Sequence, residues 1–200
     1  AMFHQLNTPY LDTLAEAGVQ PEDIDIVMCT HLHVDHVGWN TMLEDGKWVP
    51  TFPKARYLIG KREWDFWSKE EDEDNAPVLA DSVQPIFDAG LADLVGDDHT
   101  VCEEVRLRPT PGHTPGHVSI VISSKGENAV ITGDLMHHPC QMARTDWRSG
   151  FDTDGDMAEK TRHAFLAEMA EGNTLVIGTH FATPAAGLVK RDGEAYRLEV

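Results

Sequence analysis

The chain has 200 residues, 41% hydrophobic and 25% charged, enough for one domain with a real core or for most of a larger one. Its 34 acidic and 16 basic residues give a formal net charge of −18, which repels phosphate backbones, and the scattered basic residues form no patch to reverse this. No apolar run approaches the roughly 20 residues that span a bilayer. Nucleic acid and membrane are thereby set aside as partners, and a small-molecule substrate is expected.

Thr8-Pro9 ahead of Tyr10, Leu11 and Leu14 predicts a short helix, with Thr8 as N-cap, Pro9 as first helical residue and Gly18 as its stop. Ile24 to Cys29 is a β-branched run that reads as a buried strand, ending almost directly in His31. The three cysteines, Cys29, Cys102 and Cys140, are widely spaced without a CxxC and read as idle thiols of a reducing compartment. No secretory signal is visible, so a cytoplasmic location is expected.

Trp48 to Phe52 and Ala55 to Ile59 predict two further strands, with Pro50 and Pro53 favouring edge or turn positions. Residues 61–95 are mostly helical in pattern, broken between Ser68 and Pro77 by the block Glu70-Glu71-Asp72-Glu73-Asp74, which reads as a solvated loop without a ligand role. Val101 to Leu107, Val118 to Ser123 and Ala129 to Thr132 predict three more strands, the last two joined through Gly126-Glu127-Asn128. Asp156 with Glu159 predicts a capping box for a helix running to about Glu171, with Phe165, Leu166 and Met169 as its apolar stripe and Gly172 as its stop. Leu175-Val176-Ile177 is a further buried strand that runs toward His180. Asp192-Gly193 signals a hairpin between Leu188-Val189 and Tyr196-Arg197-Leu198. The fold class is α/β (α+β), one domain over residues 1–200, with its polar chemistry at strand ends.

The chemistry concentrates in His31-Leu32-His33-Val34-Asp35-His36, where four metal-competent side chains fall within six residues after a strand. In an extended segment residues i and i+2 point the same way, so His31 and His33 can reach one ion together. Asp35 and His36 lie where the loop turns and can serve a second ion. Imidazole and carboxylate suit zinc and its divalent neighbours. An apolar interior would not tolerate this crowd of polar groups unpaired. His4, His99 and His163, by contrast, stand alone and read as idle.

Three later positions hang from strand ends in the same way: His113 in Pro111-Gly112-His113-Thr114-Pro115-Gly116-His117, Asp134 after Val130-Ile131-Thr132, and His180 after Val176-Ile177.

THLHVDH, PGHTPGH, TGD and GTH, in this order and at these separations, resemble the metallo-β-lactamase superfamily. The resemblance implies an αββα sandwich with two metals at one edge of its sheets. It implies that His31, His33 and His113 hold one metal, that Asp35, His36 and His180 hold the other, and that Asp134 bridges them. His117 is not a ligand in that pattern and reads as a packing or hydrogen-bonding residue. His33, where the di-iron oxygen-reducing branch carries a carboxylate, argues against that branch. HVGWNT with GKWVPTFPKARYLIGKREWDFW is more similar to the lactonase and organophosphate-hydrolase-like members, including N-acyl homoserine lactone lactonases. Such relatives begin with several strands ahead of the helix at Thr8. The expectation is therefore a sandwich without its N-terminal strands, as a fragment or as a homo-oligomer that covers the open edge.

Two adjacent divalent ions, zinc by ligand type, would lower the pKa of a bridging water to near neutrality. The resulting hydroxide, held by Asp35 and Asp134, would attack an ester-type bond, with lactone ring opening as the leading activity. In lactonase-like relatives a side chain shortly after the bridging Asp, commonly a Tyr, contacts the substrate carbonyl. Here that stretch is Leu135-Met136-His137-His138, and His137 is the candidate substrate contact. Thioesterase (glyoxalase II-like) and phosphotriester hydrolase activities are the alternatives within hydrolases. A mononuclear-iron persulfide oxidoreductase and a non-catalytic metal-binding protein are the alternatives from other classes.

Overall fold

Residues that turn the chain lie between short β-branched runs, and the structure, a computed structural model, resolves those runs into three sheets. It describes Leu6, residues 8–69 and residues 75–200, so the acidic block at 70–74 lies outside the described residues. The chain divides into two compact units, Ala1–Gly60 with Trp64–Val95, and Lys61–Glu63 with Gly96–Val200.

The first unit starts with α1 (Tyr10–Glu16), whose N-cap is Pro9 rather than Thr8 and which turns off through Gly18 at φ +82°. Strand β1 (Ile26–Met28) leads into the one-turn helix α2 (Val34–Val37). The hairpin β2 (Thr41–Glu44) and β3 (Lys47–Pro50) follows, turning at Asp45 and Gly46, both at positive φ. That Asp-Gly pair is a hairpin signal in the sequence, yet β2 was not among the expected strands. Strand β4 (Arg56–Gly60) leads to α3 (Lys61–Trp67), whose first three residues belong to the second unit. Then come α4 (Ala76–Ser82), α5 (Gln84–Asp88) and β5 (Ala92–Val95).

β5 corrects the reading of 61–95 as mostly helical, because it pairs in parallel with β4, which pairs in parallel with β1. A four-residue apolar run is too short for its periodicity to separate strand from helix, and pairing with β4 decides it. Two clusters fill this unit: Leu32, Val37, Ile59, Trp67 and Val83 in one, Phe52, Ala55, Tyr57 and Ile86 in the other.

The second unit is built on one six-stranded sheet in the order β11-β10-β9-β8-β7-β6. Its strands and helices in chain order are β6 (Val105–Pro109), β7 (Val118–Ser124), β8 (Glu127–Ile131), α6 (Cys140–Ala143), α7 (Gly155–Met169), β9 (Leu175–Ile177), β10 (Ala186–Asp192) and β11 (Ala195–Glu199). β6 begins later than expected because Val101 and Cys102 are spent on a turn closed onto Val105. The β7–β8 turn is Lys125-Gly126, both at positive φ, and Glu127 and Asn128 already belong to β8. The N-cap of α7 is Asp154, which accepts a hydrogen bond from Met157 N–H, so Asp156 lies in the first turn instead of capping it.

β8 and β9 are the parallel pair within a sheet whose other neighbours are antiparallel. Parallel neighbours need a long crossover, and the segment carrying α7 supplies it. Phe165, Leu166 and Met169 of α7 pack against Val130, Val176, Val189 and Tyr196 of the sheet in one core cluster. Side chains of this size each contribute about 1.5–3 kcal/mol on burial, so this face sets where the strand ends lie. Among the described residues no helix is long and apolar enough to cross a membrane.

Tyr57, the second residue of β4, ties parts of the first unit together. Its hydroxyl accepts from Phe52 N–H at 2.9 Å and donates to the Asn40 carbonyl at 3.1 Å, and burial pushes its pKa up to about 12. A phenol whose folded pKa is raised contributes stability that is complete below about pH 10 and is lost as the pH climbs toward the folded value. Tyr57→Phe leaves the Phe52 N–H without that acceptor and should cost about 1–3 kcal/mol in a urea titration at pH 7. The same variant should lose less stability than the parent between pH 10 and pH 12. An unchanged alkaline profile would show that Tyr57 is not the group responsible.

Candidate metal centre

Strand register explains why one edge of the large sheet collects polar groups. Ile131 of β8 faces Ile177 of β9 in parallel register, and three residues beyond each lie Asp134 and His180. The β6–β7 connection, which carries His113, turns at the same edge, because β7 is antiparallel to β8. Topology alone therefore brings three of the expected ligands to one rim.

Asp134 is the centre of what forms there. Its Oδ2 lies 3.4 Å from His113 Nε2 and 3.2 Å from His137 Nε2, while His180 Nε2 is 3.2 Å from both carboxylate oxygens. His113 and Asp134 are buried and the His137 and His180 side chains are 26% and 33% exposed, so the group opens to solvent on one side. His113, Asp134 and His137 each offer one ligand atom within 4.8 Å of the other two. Ligand atoms about 2.0–2.1 Å from a tetrahedral zinc are about 3.3–3.4 Å apart along the edges of the tetrahedron. The observed 3.2–3.4 Å spacings match that edge. Donor types and spacing therefore both fit a divalent cation.

A layer of hydrogen bonds holds this group. His117 Nε2 accepts from Asp134 N–H at 2.9 Å, which leaves the proton on Nδ1 to be donated to the Thr110 carbonyl at 3.0 Å. His117 is thus a hydrogen-bonding residue behind Asp134. Glu63, fully buried, accepts from the Thr114 hydroxyl at 2.8 Å and from Gly116 N–H at 3.0 Å, which clamps the loop around His113. Arg162 of α7 is buried to 0% exposure and donates to the carbonyls of Leu135, Thr145 and Trp147. Burial pulls its guanidinium below the usual arginine range.

Asp152 accepts from His113 Nδ1 at 3.0 Å and from Ser149 N–H at 2.9 Å, and lies 4.0 Å from an Arg162 Nη. Burial pushes the Asp152 carboxyl up, but the bonds from His113 and Ser149 outweigh it and hold the group below the usual carboxylate range. Asp152, Arg162 and Glu63 are not legible in the sequence as site residues. Their partners lie tens of residues away, and no spacing rule links them.

The other expected ligands sit in the first unit on the loop after β1. His31 is buried, with its ring centroid 4.6 Å from that of His33 and 4.1 Å from that of His36. His33 is the extended N-cap of α2, so Asp35 and His36 fall on that single helical turn, with His36 Nε2 3.6 Å from Asp35 Oδ2. The Cys29 thiol, 3.5 Å from the His36 carbonyl and from Asn40 Oδ1, is pushed up to about 11 by burial and stays protonated. A thiol in that state anchors the loop and is not a reactive group.

Close packing around Gly112 gives a direct test of how tightly His113 is held. Gly112 has φ +136°, and an added Cβ would fall on the backbone N and Cα of Ala158 in α7. Gly150, a few residues before that helix, has open space at the same point. Gly112→Ala should lower the melting temperature by several degrees and shift the His113 ring resonances, while Gly150→Ala leaves both nearly unchanged. Equal behaviour of the two variants would contradict the packing described.

Comparison with known proteins agrees with this architecture. The model of the metallo-beta-lactamase superfamily matches residues 2–180. An N-acyl homoserine lactonase of Bacillus sp is 27% identical over 121 residues, which cover 60% of this chain and 42% of that protein. A probable metallo-hydrolase of Bacillus subtilis is 28% identical over 137 residues, covering 64% of this chain and 56% of it. The aligned part thus spans only about half of these curated relatives. Among solved structures, the hydrolase AbOPH of the beta lactamase superfamily superposes with TM-score 0.81 at 27% identity, over 95% of this chain and 68% of that one. The dizinc quorum-quenching lactonase AidC, solved with a homoserine product, gives TM-score 0.81 at 26% identity, over 98% and 70%. With most of its length matched to one family model and its fold shared with these hydrolases, the chain belongs to the metallo-beta-lactamase superfamily and has its mixed α/β fold.

Proposed function

We propose that the protein is a dinuclear metal-dependent hydrolase acting on an ester-type bond, and that a lactone ring is its substrate. The observation that carries this reading is the buried Asp134 carboxylate, with imidazole nitrogens of His113, His137 and His180 at 3.2–3.4 Å from its oxygens. Relatives named as lactonases support the choice of substrate class.

In this reading His31, His33 and His113 would hold one zinc, Asp35, His36 and His180 would hold a second, and Asp134 would serve both. The ions, when bound, supply Lewis acidity and a water whose pKa is brought near neutrality. Asp35 and Asp134 orient that water through their carboxylate oxygens, and Asp134 supplies the anion that offsets part of the positive charge. His137, whose partly exposed ring stacks on that of His180 with centroids 5.3 Å apart, contacts the carbonyl oxygen of the substrate. An anionic substrate suits a protein of net charge −18 only where such a centre offsets the surrounding field.

The test pairs elemental analysis of the purified protein with a panel of lactones, thioesters and phosphotriesters. The reading predicts up to two zinc per chain and fastest turnover on lactones. It also predicts that Asp134→Asn loses activity by orders of magnitude while keeping its circular dichroism. Turnover confined to thioesters or phosphotriesters would overturn the substrate class. A metal-free protein, or near-normal turnover by Asp134→Asn with metals intact, would overturn the centre.

A further inference from the structure

We propose that Asp152 is the positioning residue for His113: it accepts from Nδ1–H and so fixes the ring with Nε2 turned to the Asp134 rim, as the nitrogen left to serve a cation. The inference rests on the reading of His113 as a metal ligand, but its structural half can be tested without metal.

A ring nitrogen serves a cation only when deprotonated, so the proton has to stay on the other nitrogen, and a partner there sets both tautomer and ring angle. His113 has such a partner in Asp152, with Nδ1 at 3.0 Å from Oδ1 and Nε2 directed to Asp134 at 3.4 Å. The Asp152 side chain is 1% exposed, so water does not compete for the bond.

Asp152 is itself held on every side that the described residues provide. Its Oδ2 accepts from Ser149 N–H at 2.9 Å, and the Arg162 guanidinium stands 4.0 Å away, close enough for charge but too far for a hydrogen bond. The backbone is sewn to the same loop. Thr153 N–H donates to the His113 carbonyl and Asp154 N–H to the Gly112 carbonyl, both at 2.9 Å. The segment 149–154 thus grips His113 through its backbone and through its ring. Arg162 fixes the preceding stretch by binding the carbonyls of Thr145 and Trp147. The consequence is a rigid carboxylate, on a loop remote in sequence, that decides which nitrogen of a ligand histidine carries the proton.

Two readouts separate this role from plain stability. In metal-free protein, long-range nitrogen–proton correlation spectra report which ring nitrogens of each histidine carry a proton, and His113 Nδ1 should carry one, held in the bond to Asp152. Asp152→Ala should mix the tautomers and weaken zinc affinity, measured by competition with a chromophoric chelator, by about 10–100-fold. Asp152→Asn keeps the shape and an acceptor oxygen, so it should retain the tautomer and recover much of the affinity, which also guards against a variant that fails to fold. An unchanged tautomer and an unchanged zinc affinity in folded Asp152→Ala would overturn the proposal. Tautomer loss in Asp152→Ala of a protein that takes up no zinc at all would support the positioning role and place the failure in the function proposed above.

Discussion

A carboxylate buried at 3% exposure beside an apolar core is the constraint around which the second unit is organised. An isolated ionised group there would cost many kcal/mol, and proteins either neutralise it or surround it with compensating partners. Asp134 has the second arrangement: imidazoles of His113, His137 and His180 around its oxygens and the His117 ring behind its amide. The parallel register of β8 with β9 is what delivers Asp134 and His180 to the same rim, so the arrangement is written into the sheet before any side chain is placed. Gly133, at φ +55°, lets the chain turn sharply enough for Asp134 to follow the strand.

What surrounds that group is as specific as the group itself. Arg162 reaches from α7 to three backbone carbonyls, Glu63 holds the PGHTPGH loop by two hydrogen bonds, and Asp152 holds the ring of His113. Each is a buried charged residue with named partners, the condition under which such residues are tolerated in an interior. The apolar face of α7 against β8, β9 and β10 supplies the rigidity, and the polar groups exploit it. Precision at a site comes from elements that cannot shift, and here the loops that carry site residues are pinned to them by these buried bonds.

Several candidate ligands were legible in the sequence because they follow short β-branched runs, and such runs end where a sheet presents its edge. His31 after Ile26–Met28, Asp134 after Ala129–Ile131 and His180 after Leu175–Ile177 all obey that rule. Local boundaries were harder. Asp152, Asp154 and Asp156 stand at alternate positions, and each could cap a helix; the structure uses Asp154, which accepts from Met157 N–H. β5 was hidden because Ala92–Val95 carries too little pattern to outweigh the helical stretch before it. The supporting layer was not legible at all. Asp152 meets His113 across 39 residues and Glu63 meets Gly116 across 53, and one sequence contains no trace of such pairings.

The carboxylate of Asp134 and its imidazoles are proposed to form a metal centre. Anomalous diffraction at the zinc edge, from crystals grown with stoichiometric zinc, tests it most directly. Strong anomalous density is expected within bonding distance of Asp134, His113 and His180, with nitrogen and oxygen ligands and no sulfur. Anomalous density confined to surface residues, with the Asp134 group ordered and empty, would contradict it.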